Sequence, residues 1–130
     1  MRSRILVIFT ILCFITLLTS GLTIAQTKKY EVLIGTWDME IDIMGELAYH
    51  EFVFETKDDS ISGYWSDGEQ NADFTKIVLD GSKLILELEV DTGGGYETIK
   101  CEAEIEGDEM KGTAESDSLG EMTFTAKKRK

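Results

Sequence analysis

The residues of this sequence best able to do chemistry are few: His50, Cys101, the carboxylate of Asp91 followed by Thr92 and Gly93, and the oxygen-rich stretch holding Asp67, Glu69 and Asp73. Asp91 stands at the end of an apolar run, the setting in which two carboxylates brought together share one proton and activate water. One chain supplies only one such group, so a second copy would have to complete the pair. Gly93, Gly94 and Gly95 read more simply as a hairpin loop that needs positive φ. The spacing of Asp67, Glu69 and Asp73 does not follow the calcium-loop pattern, and no coordinating Glu follows at the required distance. With a single His, and with Cys13 in the apolar N-terminal run, no His/Cys zinc set can form. We therefore expect no metal and no cofactor. A nucleophilic pair of Cys101 and His50 would require the two to meet in a cleft.

The elements that must position these groups are strands. Residues 33–43 (LIGTWDMEIDI) alternate apolar and acidic with period two, and the same alternation or a β-rich composition recurs at 48–56, 61–66, 72–79, 83–90, 96–106, 109–116 and 120–126. The segments between them are rich in turn residues: MGE, KDDS, DGEQN, Asp80-Gly81, DTGGG, Gly107-Asp108 and Asp117-Ser-Leu. Twelve glycines and no proline fit turns of the Asp-Gly kind. No segment after Ala25 carries an apolar period of 3.6, so helix is expected to amount to a single turn at most.

Eight antiparallel strands joined by short connections must close on themselves or leave two edges bare. We therefore expect an all-β fold, an eight-stranded up-and-down barrel, with a two-sheet sandwich as the alternative that would show the same alternation. One parity is wet: Asp38, Glu40 and Asp42, Glu87 and Glu89, then Glu102, Glu104 and Glu106. The other is dry: Trp37, Met39, Ile41 and Ile43, then Leu84, Leu86, Leu88 and Val90, then Ile99, Cys101, Ala103 and Ile105. Cys101 thus reads as a buried small hydrophobe. Gly63 and Gly112 sit in mid-strand within similar surroundings (ISGYWSD and MKGTAESD), as expected of two corners in a curved sheet.

Address and charge bound the function. Arg2 and Arg4 precede the apolar run Ile5 to Leu18, and small residues end at Ala25. That order is a secretory signal, giving a division into 1–25, removed on export, and 26–130, the folded domain. An uncleaved anchor is the alternative, since Ile5 to Ile24 is long enough to cross a membrane. Export with Cys101 as the one remaining thiol means no internal disulfide. The formal net charge is −12, and cleavage makes it more negative by removing two arginines. Such a field repels a phosphate backbone, so nucleic acid is not an expected partner. Nor is membrane contact, unless the N-terminal segment is kept as an anchor. The basic tail, Lys127 to Lys130, is a solvated end by this reading.

On the dry parity, His50 follows Ala48 and precedes Phe52 and Phe54. A histidine there is either a satisfied polar group at the rim of the core or a single polar contact in an apolar lumen. Trp37, Phe52, Phe54, Trp65 and Phe124 could fill the lumen outright, or could line a cavity of at least about 300 Å³ if one end stays open. In the second case the lining candidates are Ile41, Ile43, His50, Phe52, Phe54, Trp65, Leu86, Leu88 and Met122, with Trp37 more a plug at the closed end than a ligand contact.

Gly35-Thr36-Trp37 opening the first strand, with a basic cluster just past the last one, resembles the lipocalin and fatty-acid-binding superfamily. The segments LDGSKLILELE, MKGTAES and GEMTFTAK are similar to those of small secreted bacterial lipocalin-like domains. That resemblance implies a barrel whose end is closed by Gly35 and Trp37, with Lys127 or Arg129 packing across the Trp, and it carries no catalytic set. The longer loops, disulfide and C-terminal helix of the larger carriers are missing from the sequence. Asp91-Thr92-Gly93 separately resembles the triplet of aspartic proteases, without a recognisable flap or supporting apolar segments. The expected function is a non-enzymatic exported domain that binds a small apolar or amphipathic molecule. The alternatives are a filled barrel that serves as a protein-interaction module and, more remotely, an aspartic-protease-like enzyme using Asp91. Oligomeric state is open.

Overall fold

The computed structural model describes residues 29–130. The expected secretory segment, 1–25, lies outside the described residues. Eight strands follow in order: β1 Gly35–Ile43, β2 Glu46–Lys57, β3 Ser60–Ser66, β4 Asn71–Asp80, β5 Lys83–Asp91, β6 Tyr96–Glu106, β7 Glu109–Ser116 and β8 Gly120–Lys128. Each pairs antiparallel with the next, and β1 pairs with β8 from Trp37 opposite Lys128 to Ile41 opposite Phe124. That last ladder closes the barrel and rules out the two-sheet sandwich.

Three boundaries differ from the expected ones by two residues, each for a local reason, and the others agree to within one. Residues 33 and 34 are not strand, because Leu33 N–H donates to the Tyr30 carbonyl at 2.9 Å and Ile34 N–H to that of Glu31 at 3.3 Å. They belong to a turn laid under the barrel. β2 begins at Glu46, since Met44 and Gly45 alone make the turn, at φ 54° and 87°. Positive φ at both central positions is the hairpin geometry that matches strand twist. β8 runs on to Lys128, where its N–H donates to the Asp108 carbonyl at 2.8 Å.

The dry parity of every strand meets in one core that includes Trp37, Phe52, Phe54, Leu79, Leu84, Leu86, Met110 and Phe124. Gly63 and Gly112 are the two sharp corners. A Cβ on Gly112 would run into the Glu102 carbonyl and lie 2.8 Å from Ala103 Cβ. One on Gly63 would strike the Val53 carbonyl and sit 3.1 Å from Phe54 and Phe74. One seam is loose: β3 and β4 pair only from Tyr64–Asp73 to Ser66–Asn71, and the Phe74 ring packs across the gap beyond.

Up-and-down order sorts the connections to two ends. The turns at 58–59, 81–82 and 107–108 share one end with the N-terminal turn and the basic tail. Those at 44–45, 67–70, 92–95 and 117–119 share the other.

Candidate functional site

The first end is sealed. Trp37 is fully buried and its indole Nε1–H donates to the Leu33 carbonyl at 2.9 Å, so the turn that displaced the start of β1 also satisfies the Trp. The cation over this ring is Lys128, with Nζ 5.8 Å from the centroid and donating to the Val32 carbonyl at 3.1 Å. This corrects the expectation of Lys127 or Arg129. Register supplies the reason: Lys128 is the Cα partner of Trp37, while Lys127 faces outward opposite both Asp38 and Glu109. Arg129 also lies outside, where its guanidinium bridges Asp38 and Glu51 and donates to Glu51 Oε1 at 2.7 Å. The Cβ position of Gly35 faces the Lys128 stem, 3.2 Å away.

Above the plug lies a solid aromatic layer. Phe52 meets Phe54, Phe74 and Phe124 edge-on at 6.1, 5.5 and 5.7 Å between centroids, and Phe54 stacks on Phe74 at 5.3 Å. Phe54 and Leu86 are buried within this packing and line no chamber, contrary to expectation. Their positions along β2 and β5 put them too far from the open end.

Toward the other end the side chains part and leave a chamber of about 280 Å³, just short of the expected minimum of about 300 Å³. Of the expected set, Ile41, Ile43, His50, Phe52, Trp65, Leu88 and Met122 line it. So do Val90, Ile99 and Cys101, which the strand alternation had already turned inward, and Asp67 and Leu119, which it could not assign because they lie in loops. Two larger hollows, of about 720 and 480 Å³, lie on the outer wall. One is the charged saddle over β7, β8, β1 and β2, and the other is the splayed seam between β3 and β4.

The polar groups at the chamber are ordered. Trp65 Nε1–H donates to His50 Nδ1 at 3.1 Å, with the rings edge-on at 5.1 Å, so the ring hydrogen of His50 is on Nε2. Burial pushes the His50 pKa down from its ordinary 6.5, and the nearby negative charge of Asp67, which favours the protonated ring, opposes that shift without reversing it. Asp67 Oδ1 accepts the N–H groups of Glu69 and Gln70, each at 2.8 Å. The Gln70 bond foremost holds its carboxyl below the usual range. Cys101 is enclosed, and burial pushes its thiol up to about 12. Cys101 and His50 both face the chamber, with no hydrogen bond between them and with the thiol held protonated.

The loops around the mouth are tied by short side chains. Asp42 Oδ1 accepts Gly45 N–H, Asp91 Oδ1 accepts Gly93 N–H, each at 2.8 Å, and Ser116 Oγ accepts Leu119 N–H at 3.1 Å. Asp91 is thus an exposed cap within its own hairpin loop. Among the described residues no three His, Cys, Asp or Glu side chains converge as a metal site.

A small closed β-barrel, plugged at one end and holding an apolar chamber at the other, is the class of protein these features define. Solved structures of that architecture are similar to it. A redesigned β-barrel superposes with a TM-score of 0.60 at 10% identity, over 78% of this chain and 96% of that one. Another redesigned barrel, mFAP1 bound to DFHBI, gives 0.57 at 13% identity, over 77% and 98%. An SAHS protein from Ramazzottius varieornatus gives 0.45 at 14% identity, over 75% and 96%. No family model matches the chain, nor does any curated protein. The likeness is one of fold.

Proposed function

We propose that this protein is an exported, lipocalin-like, non-enzymatic domain that binds one small apolar or amphipathic molecule in the open-end chamber. The observation that carries the reading is the chamber itself, apolar on almost every wall, with His50 and Asp67 as its polar contacts. Small-molecule sites have this composition, a greasy cavity with a few fixed polar groups. Its 280 Å³ compares with about 150 Å³ for a cavity that takes up benzene, so a two-ring molecule is the natural size. The mouth is preorganised by the loop caps, which lowers the ordering cost of binding. A redesigned barrel of the same fold was solved with DFHBI bound, so the architecture accommodates a guest. Export rests on the N-terminal signal.

The test is a titration with the neutral two-ring dye 6-propionyl-2-(dimethylamino)naphthalene, whose emission rises and shifts to the blue in apolar surroundings. We expect saturable one-to-one binding by residues 26–130, abolished in Ala114→Phe, which fills the chamber from β7. Circular dichroism would confirm that the variant folds. Absence of saturable binding to the wild-type protein would sink the proposal.

A second reading, a protein-interaction module, draws on Leu47 and Tyr49, which stand 57% and 68% exposed on the outer face of β2. It predicts loss of a partner or of self-association on changing both to Ser, with chamber binding unaffected.

A further inference from the structure

The two ends of the barrel differ in charge. Lys57, Lys83, Lys128, Arg129 and Lys130 gather at or beside the plugged end, mixed with acids such as Asp58, Asp59 and Asp108. The loops of the open end and the residues flanking them carry Asp42, Glu46, Asp67, Glu69, Asp91 and Asp117, and no Lys or Arg. Of these carboxylates only Asp67 lines the chamber. Its Oδ1 is occupied by two backbone N–H groups of its own loop, which fixes the carboxylate in place. His50, the other polar wall, is tied to Trp65 as an acceptor and is not a competing cation.

From this arrangement, and resting on the chamber as the binding site, we propose that the ligand is a small aromatic amine. One or two fused rings would enter the chamber, and a protonated amino group on a short tether would stay at the mouth against Asp67. Size sets the rings, since 280 Å³ is about twice the space that takes up benzene. Depth sets the charge at the mouth. A cation driven down to Phe52 and Phe124 would lose its water without a partner, whereas one beside Asp67 keeps part of its hydration and gains a counter-ion. The edge-on pair of Trp65 and His50 adds an aromatic flank, and an ammonium over an indole face is attracted further. Acids at the mouth unopposed by base draw cations in and hold carboxylates off.

Calorimetric titration with three probes of one shape tests this: 1-naphthylmethylammonium, neutral 1-naphthalenemethanol and 1-naphthoate. The expected order of affinity is ammonium, then alcohol, then carboxylate. Asp67→Asn preserves the loop, because an amide oxygen can accept the same two backbone bonds. We expect it to weaken the ammonium by on the order of ten- to a hundredfold, the usual worth of a hydrogen bond to a charged group, and to leave the alcohol unchanged. Asp91→Asn, at the same end but turned into its own loop, should weaken the ammonium by less than about threefold, since exposed charges are screened. Equal affinity for ammonium and alcohol, or a preference that survives Asp67→Asn, overturns the assignment while leaving the chamber as a site. If none of the three binds, the chamber reading itself falls.

Discussion

At the scale of single residues, burial decides what each potentially reactive group can do. Cys101 is 4% exposed and its thiol is pushed up to about 12 from an ordinary 9.0. At about pH 8 its thiolate is on the order of a thousandfold scarcer than that of a free cysteine, so alkylation by iodoacetamide should be slower by that factor until urea unfolds the barrel. The same shift has a consequence for stability. Between about pH 9 and pH 12 the unfolded chain releases this proton and the folded chain keeps it, so the folded form binds more protons and stability falls as pH rises. The contribution is about 1.4 kcal/mol per pH unit across that window. Urea midpoints measured over it should fall less steeply in Cys101→Ala than in the wild type, and parallel slopes would refute the assignment. The inward place of Cys101 and of His50 was legible in the sequence, because strand alternation assigns every strand residue to a face. The cation on Trp37 was not. Lys127, Lys128 and Arg129 are alike in composition, and only the β1–β8 register selects Lys128.

At the scale of elements, the corners and turns carry the constraints. Gly112 lets β6 and β7 approach so closely that any Cβ there meets the Glu102 carbonyl and Ala103. Gly112→Ala should therefore cost about 1–3 kcal/mol in chemical denaturation, the usual penalty for overpacking, rather than stabilise as Gly→Ala does where space is free. The opposite is expected at Met44. It holds φ 54° in a two-residue turn, stands 83% exposed, and would be served better by Asn. Met44→Asn should raise stability by about 0.5–1 kcal/mol, read from the same denaturation curves, and a loss would mean that Met44 makes a contact worth more than its backbone strain. Strand number, order and facing were readable beforehand because alternation and Asp-Gly turns are local signals. The turn at residues 30–34 was not, since Leu33 falls on the dry parity of β1 and Ile34 beside it is a β-branched residue common in strands. Only the need to satisfy the Trp37 indole and cover the barrel's end explains why the chain bends there. The chamber was legible only in part. Alternation says which residues point inward, but not at what height, so Phe54 and Leu86 could not be told from Phe52 and Leu88.

At the scale of the whole molecule, charge is the property that packing does not settle. Cross-strand neighbours on the outer wall include opposite-charge ladders, Glu87–Lys100–Glu115 and Lys83–Glu104–Lys111. They also include like-charge oppositions, Glu106 with Glu109, Glu115 with Glu121, and Asp38 with Glu51, the last relieved by Arg129. Salt weakens attraction and repulsion alike, so the balance decides the outcome. Direct cross-strand neighbours are mostly of opposite charge, but with 25 acidic residues against 13 basic ones in the chain, and two of those basic ones in the expected leader, like-charge pairs are the more numerous over the longer distances that the net charge acts across. The domain from 26 to 130 should melt at a higher temperature in about 500 mM NaCl than in about 20 mM, where the screening length is several times longer. Arg129→Gln should lower the melting temperature most at low salt, since it leaves Asp38 and Glu51 facing each other unscreened, and the deficit should shrink as salt is added. A melting temperature that falls with salt in the wild type would mean that the local ladders outweigh the net charge. An absent Arg129→Gln deficit would mean that the residue contributes through the backbone bond from its N–H to the Thr36 carbonyl, which Gln keeps, and not through its guanidinium.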